Sequence, residues 1–402
     1  MNKTLHKTKA GWTIHYTLIN ISYFMAFCAI HAYASVFLLD KGFSNTLIGL
    51  CLAVANIVSV VVQPLIAGLI DKPGKLTNRN VAIASTFLLL VGSVLLLVIK
   101  NNIILIFIIF AFIYMLQMAY QPLIIAMNFE YAAAGCDIYF GLARGMGSAG
   151  FAVFSAIIGG IVEKHGVNSL LIADVFVLSV SILLLLLFIK PKKEQEIIGN
   201  EKGEVLNSNL WAFVKKYPKF MLFLVGVIMF FFAHNMINDY LIQIITPIGG
   251  NKKQMGYAIF IAALLELPTM ALITVAIKKI SCESLLKFSG IMFVVKTLIL
   301  LLSNSMLWVY VSEACQMGAY AVLIPTAAYY VDKTISEHDR VKGQAFINCA
   351  ITLAGFFSGL FCGKLLDSFG PKIMLLCGLI ISVMGLVIVF IALVNKSPKK
   401  IG

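Results

Sequence analysis

Charge is what this chain has least of. Only 12% of its 402 residues are Asp, Glu, Lys or Arg, against 60% hydrophobic residues, and just 18 are acidic. Soluble domains carry about a quarter charged residues, so the composition excludes a water-soluble globular protein and predicts a polytopic membrane protein. The eight cysteines, from Cys28 to Cys377, are scattered and mostly lie in apolar stretches. With no CxxC and no Cys/His ligand spacing, neither a disulfide framework nor a metal site is indicated. A nucleotide-binding loop and a nucleophile–base arrangement are also missing, which disfavours ATP-driven transport and enzymatic chemistry and implies no cofactor. The net charge of +13 does not point to nucleic acid, because the basic residues are spread over short loops between apolar runs.

Those apolar runs are the main content of the chain. Twelve are long enough to span a bilayer. In the first half they fall at about 13–39, 46–70, 81–99, 103–127, 139–162 and 168–189, and in the second at 220–246, 254–277, 284–303, 306–331, 341–364 and 371–394. The first is too long for a signal-peptide core and lacks a cleavage signature. Of the 31 lysines and arginines, Lys41, Lys100, Lys164, Lys252, Lys253, Lys364 and Lys372 fall in alternate loops, and Lys296 falls inside a span. The others, counting Arg144 near the entrance of the fifth span, share the side of both termini, which the positive-inside bias makes cytoplasmic.

One long polar segment, 190–219, divides the chain into a six-span half, 1–189, and a second six-span half, 220–402. It mixes lysines with glutamates and reads as a cytoplasmic connector. An internal repeat supports the division. A small residue, an acid four positions on and a glycine three further recur at Ala67/Asp71/Gly74, Gly159/Glu163/Gly166 and Gly363/Asp367/Gly370. The last two sets are 204 residues apart, and inverted three-helix repeats nested within each half would place them so.

Polar residues inside spans are expensive and mark function by default. The stretch 139–163 holds one cation, Arg144, among small residues that let helices approach closely. Arg144 either faces a watery cavity or snorkels to headgroups. Glu266 sits about twelve residues into the eighth span, roughly 18 Å deep at 1.5 Å per residue. Lys296 and Glu313 lie at equal depth on successive spans and are placed to form an ion pair, either structural or switchable. His234, Asn238 and Asp239 share roughly one face of the seventh span. That face lines a cavity or forms a wet gate. His31 in the first span and Gln117, Gln121 and Asn128 in the fourth offer further hydrogen bonds to a polar solute.

The run Ala67-Gly-Leu-Ile-Asp71-Lys72-Pro73-Gly74-Lys75, together with two six-helix halves and a charged connector, resembles the major facilitator superfamily. Asp71, Lys72 and Gly74 match that family's signature between helices two and three, with Ala67 in place of the usual glycine. The resemblance covers essentially the whole chain. It implies an all-α fold of twelve transmembrane helices in two pseudo-symmetric halves that rock about a midplane site. Asp71, Lys72 and Gly74, with nearby Glu130, would then serve conformational gating. Phe140-Gly141-x-Ala143-Arg144-x-x-Gly147 and Phe151 resemble helix five of the oligosaccharide–proton symporters, the lactose permease-like branch, where the arginine and the aromatic hold the sugar. Leu264-Leu265-Glu266-Leu267 is similar to that branch's acidic position in helix eight, which serves sugar binding and coupling. The chain departs from the branch where Ala126 replaces a helix-four carboxylate, where Gln316 and Ala319 replace a histidine and a glutamate, and where Ile351 replaces a lysine.

The sequence therefore predicts a monomeric transporter in the plasma membrane that takes up a sugar or glycoside with protons. Arg144, Phe151, Glu266, Gln117, Gln121, Asn128 and His31 would bind the solute, and Glu266, Glu313, Lys296, Asp239 and His234 would couple it to protons. Transport or efflux of an aromatic, nucleoside or drug-like solute is the alternative within the same class. A non-transporting sensor that signals through the connector is the alternative from another class.

Overall fold

The computed structural model describes residues 8–70, 76–99, 102–190 and 210–394. Asp71, Lys72 and Gly74 lie outside the described residues, as does most of the connector. Among the described residues every regular element is helical, and eleven helices are long and apolar enough to cross a membrane. The last of these contains two crossings.

The first span is α1 (Lys9–Phe27), a π-helical turn over Cys28–Ala32, and α2 (Ala34–Asp40). Four continuous helices follow: α3 (Asn45–Ile70), α4 (Asn78–Val98), α5 (Ile103–Ala133) and α6 (Phe140–His165). The first half closes with α7 (Asn168–Leu187). After the short α8 (Leu210–Lys216), the second half begins with α9 (Pro218–Asp239), which breaks at Tyr240 before α10 (Leu241–Ile245). The eighth and ninth spans are α11 (Lys252–Ala276) and α12 (Cys282–Leu302). The tenth is split into α13 (Met306–Ala314) and α14 (Tyr320–Thr334) by a 3-10 turn at Cys315–Met317. The last two spans form α15 (Arg340–Ala392), which reverses at Gly370, where φ is 76°. Only glycine adopts that angle without strain.

Side-chain oxygens supply several helix starts. Thr77, Asn102 and Ser281 accept from backbone N–H groups of α4, α5 and α12, and Asn251 with Gln254 forms a capping box on α11. Such caps contribute about 1 kcal/mol each. Tyrosines pin α1 to α5, because the hydroxyls of Tyr16 and Tyr23 donate to the carbonyls of Ile124 and Gln117, both at 2.8 Å.

The two halves meet at the end of the molecule opposite the chain termini, and they meet twice in the same manner. At the α6–α11 crossing, Tyr33 donates to the Ser155 carbonyl at 2.8 Å beside Gly159 and Gly256. There Glu163 accepts from the Lys252 backbone N–H at 3.0 Å, capping α11. At the α3–α15 crossing Gly49 lies against Gly359, so close that a Cβ on Gly49 would sit 2.0 Å from the Gly359 carbonyl oxygen. Tyr240 lies over this crossing, and Asp367 caps α3. Glu163 and Asp367 are the equivalent acids of the repeat, and each grips the first turn of a helix in the other half. Toward the termini the helices part, and added Cβ atoms at Gly68, Gly141 and Gly145 would meet nothing within 4 Å.

Candidate functional site

Where the helices part they enclose a cavity of about 830 Å³ that reaches mid-depth and opens toward the end carrying the chain termini. Gly141, Arg144 and Ser148 of α6 form one wall, and Ala263, Glu266 and Met270 of α11 form the wall facing it. Aromatic rings of Phe24, Phe27, Tyr114, Phe151 and Tyr320 complete it, with Asn235, Asn238 and Asp239 toward the closed end. A second groove on α9 and α15, around Phe232, Phe357 and Phe361, is almost wholly apolar, with Lys364 and Ser368 the polar residues among its described lining.

Arg144 is placed by the small residues that surround it. A Cβ on Gly147 would collide with Phe24, so the glycine lets α1 come close enough to put the Phe24 ring under the guanidinium at 4.2 Å. Such a cation–π contact is worth about 0.5–2 kcal/mol. One guanidinium nitrogen donates to Ser148, one turn on, at 3.0 Å. Among the described residues Arg144 has no carboxylate partner, which leaves donors free toward the cavity.

Opposite it, Glu266 lies two residues before Pro268 in α11. Its Oε1 accepts from the Gln316 amide at 2.5 Å. The same amide's carbonyl oxygen accepts from Lys296 at 2.5 Å, and Lys296 pairs with Glu313 at 2.9 Å. Lys296 and Glu313 are 1% and 2% exposed, so neither charge is solvated and each depends on the other. The broken tenth span makes this cluster possible, since its 3-10 turn points Gln316 between α11 and α12.

His31, in the π-helical turn, stacks on Phe27 with ring centroids 3.8 Å apart and lies against Tyr114 at 3.7 Å. His234 stacks on Tyr320 at 5.2 Å and contacts the Asn238 amide at 3.0 Å. Asp239 ends α9 with its carbonyl accepting from the Ser35 hydroxyl of α2, a contact between halves.

Arg144, Phe151, Glu266, His31, Glu313, Asp239 and His234 are thus brought to one cavity. Lys296 stands behind its wall. Gln117 and Asn128 are instead buried within the first half, and Gln121 does not reach the wall either, since α5 packs chiefly against α4 and α3. Glu130 accepts from Asn78 at 3.1 Å and pairs with Lys190, the first residue of the connector, at 2.9 Å, ties that do not reach the second half. Sequence reasoning did not foresee Phe24 as the platform for Arg144 or Gln316 as a bridge. A lone amide three residues after Glu313 was the only signal for the second.

The sequence profile described as Major Facilitator Superfamily matches residues 16–359. No curated protein matches the sequence. Among solved structures, a mutant form of the nucleoside transporter NupG superimposes with a TM-score of 0.81 at 13% identity, covering 95% of this chain and 98% of that one. A bacterial homologue of the human lysosomal transporter Spinster, in an inward-facing and unoccupied conformation, gives 0.74 at 12% identity and covers 98% of both chains.

Proposed function

The chain belongs to the Major Facilitator Superfamily, and from that premise we propose that this multi-pass membrane transporter carries a sugar or glycoside together with protons by alternating access. One observation carries the reading. Among the described residues, a guanidinium without a carboxylate partner, from the first half, and a carboxylate with one oxygen unbonded, from the second, face a shared chamber at mid-depth. Hydroxyl groups of a small ring-bearing solute satisfy both. Arg144 donates to the solute, Phe151 and Phe24 supply apolar faces for the ring, and Glu266 accepts from a hydroxyl or takes up a proton. Asp239, His234 and His31 lie at the closed end, where a proton or the far end of the solute would reach them. Gln117, Gln121 and Asn128 fall out of the binding set because they are not on the wall. With the termini cytoplasmic, as the lysine and arginine bias predicts, the observed state faces inward.

The aromatic lining favours a second reading, a nucleoside, for which the likeness to NupG gives a fold precedent. Uptake of labelled sugars and nucleosides into proteoliposomes, with and without an imposed proton gradient, decides between them. Sugar accumulation that rises with the gradient is expected. Accumulation insensitive to the gradient would remove proton coupling, and accumulation of nucleosides alone would replace the substrate.

A further inference from the structure

We propose that Gln316 is a positioning residue whose side-chain amide flips when Glu266 gains or loses a proton, and that the buried Lys296–Glu313 pair holds the two ends of that flip. The inference rests on the reading of Glu266 as the coupling acid. It follows from which atoms donate. An ammonium group has only donors, so the Gln316 oxygen must face Lys296, as it does at 2.5 Å. The planar amide then turns its NH₂ toward Glu266, which has to accept. In this arrangement a full donor is aimed at the carboxylate, and the ionised acid is the better acceptor.

A protonated Glu266 has the opposite need, since its O–H is best satisfied by a carbonyl oxygen. Rotating the amide by half a turn provides one, but it also directs the NH₂ at Lys296, where two donors oppose each other. Lys296 must then find another acceptor. Glu313 Oε1 is buried with no hydrogen-bond partner among the described residues, while its Oε2 already holds Lys296. The lysine therefore has a vacant acceptor within its own ion pair. In the observed state Lys296 is shared between Glu313 Oε2 and Gln316; in the alternate state it is held by both oxygens of Glu313. The balance is simple: one proton passes from cavity water to Glu266, an O–H···O bond replaces an N–H···O bond, and the buried pair stays neutral throughout. The charged and titratable groups that face Glu266 are Lys296 of α12, Glu313 of α13, Arg144 of α6 and Tyr320 of α14, and Lys296 is faced in turn by His234 of α9.

The test is the pH profile of gradient-driven uptake by the full-length protein in proteoliposomes, each variant normalised to its own maximum. Gln316→Leu, which removes the donor, is expected to raise the pH midpoint by about one unit, a tenfold change in proton affinity. Gln316→His, an imidazole with one donor and one acceptor nitrogen, is expected to return the midpoint toward wild type. A midpoint unmoved in Gln316→Leu, beside a flat profile in Glu266→Gln, overturns the amide flip and leaves the coupling role of Glu266 standing. A pH-dependent profile that survives Glu266→Gln overturns both. Infrared difference spectra of the wild-type protein, with glutamine amides isotope-labelled, provide a check that needs no variant to fold. A glutamine amide band should change together with the appearance of a protonated carboxyl band, and an amide band that stays fixed overturns the proposal.

Discussion

Replacing Asp367 with alanine removes four hydrogen bonds at once: from the Asn45 and Thr46 backbone N–H groups at 3.2 and 2.7 Å, and from their side chains at 2.8 and 2.6 Å. Both donors begin α3, in the other half of the molecule. These bonds join the two halves at the closed end, so the substitution should act on the balance between closed and open forms more than on folding. Loss of a helix N-cap costs about 0.5–2 kcal/mol, and an anion at a helix start adds roughly 0.3–1 kcal/mol. Asp367 is exposed and water competes for the same donors, so a net effect of about 1–2 kcal/mol is reasonable. At about 1.4 kcal/mol per factor of ten, the open form should gain roughly 5- to 30-fold relative to the closed form. Glu163 makes one such bond, to Lys252, so Glu163→Ala should shift the balance less. Spin labels at Lys164 and Asn304, exposed positions in the two halves, would report the separation by double electron–electron resonance. A distance distribution identical to wild type in Asp367→Ala, or a larger shift from Glu163→Ala, would refute the reasoning.

Three further outcomes are expected. Arg144→Ala should abolish solute binding in a protein that still folds, since the arginine lies on the cavity wall with no carboxylate partner among the described residues; wild-type affinity by calorimetry would sink its assigned role. Lys296→Met should destabilise the protein by about 3–5 kcal/mol by stranding Glu313, and Lys296→Met with Glu313→Leu should recover most of that loss in thermal unfolding. Outside the spans, Asp339 is held well below the usual carboxylate range by hydrogen bonds from Lys216 and Lys342, both at 2.8 Å. A carboxylate with a depressed folded-state pKa contributes stability above its unfolded pKa of about 4 and loses it as the pH falls toward the folded value. Melting temperatures of Asp339→Asn and wild type should therefore differ at pH 7 and converge in strong acid.

Much of the architecture was legible because burial in lipid leaves a coarse signature. Apolar runs located the spans, and the high cost of buried charge singled out Glu266, Lys296 and Glu313. Equal depth on successive spans was enough to anticipate the Lys296–Glu313 pair. Interruptions within spans were not legible. Neither proline nor glycine marks the π-helical turn at Cys28–Ala32 or the break at Tyr240, whose side chain lies over the α3–α15 crossing. Helical facing was equally hidden in α5, which is apolar nearly all round, so Gln117 and Asn128 read as polar without showing that they turn inward. The repeat disclosed Glu163 and Asp367 as equivalents, yet the turns they hold, at Lys252 and at Asn45 and Thr46, lie 89 and more than 320 residues away. No local pattern encodes a contact at that separation.

The reversal at Gly370 is accomplished within a single residue. With no slack there, the twelfth crossing must swing whenever the eleventh tilts about its contact with α3. Met384, Val387 and Ile391, on the outward face of that crossing, are half or more exposed and would sweep through the surrounding acyl chains at each cycle. Bilayer viscosity would then act as a drag on turnover, and a stiffer lipid should slow the transporter without changing how tightly it holds its solute.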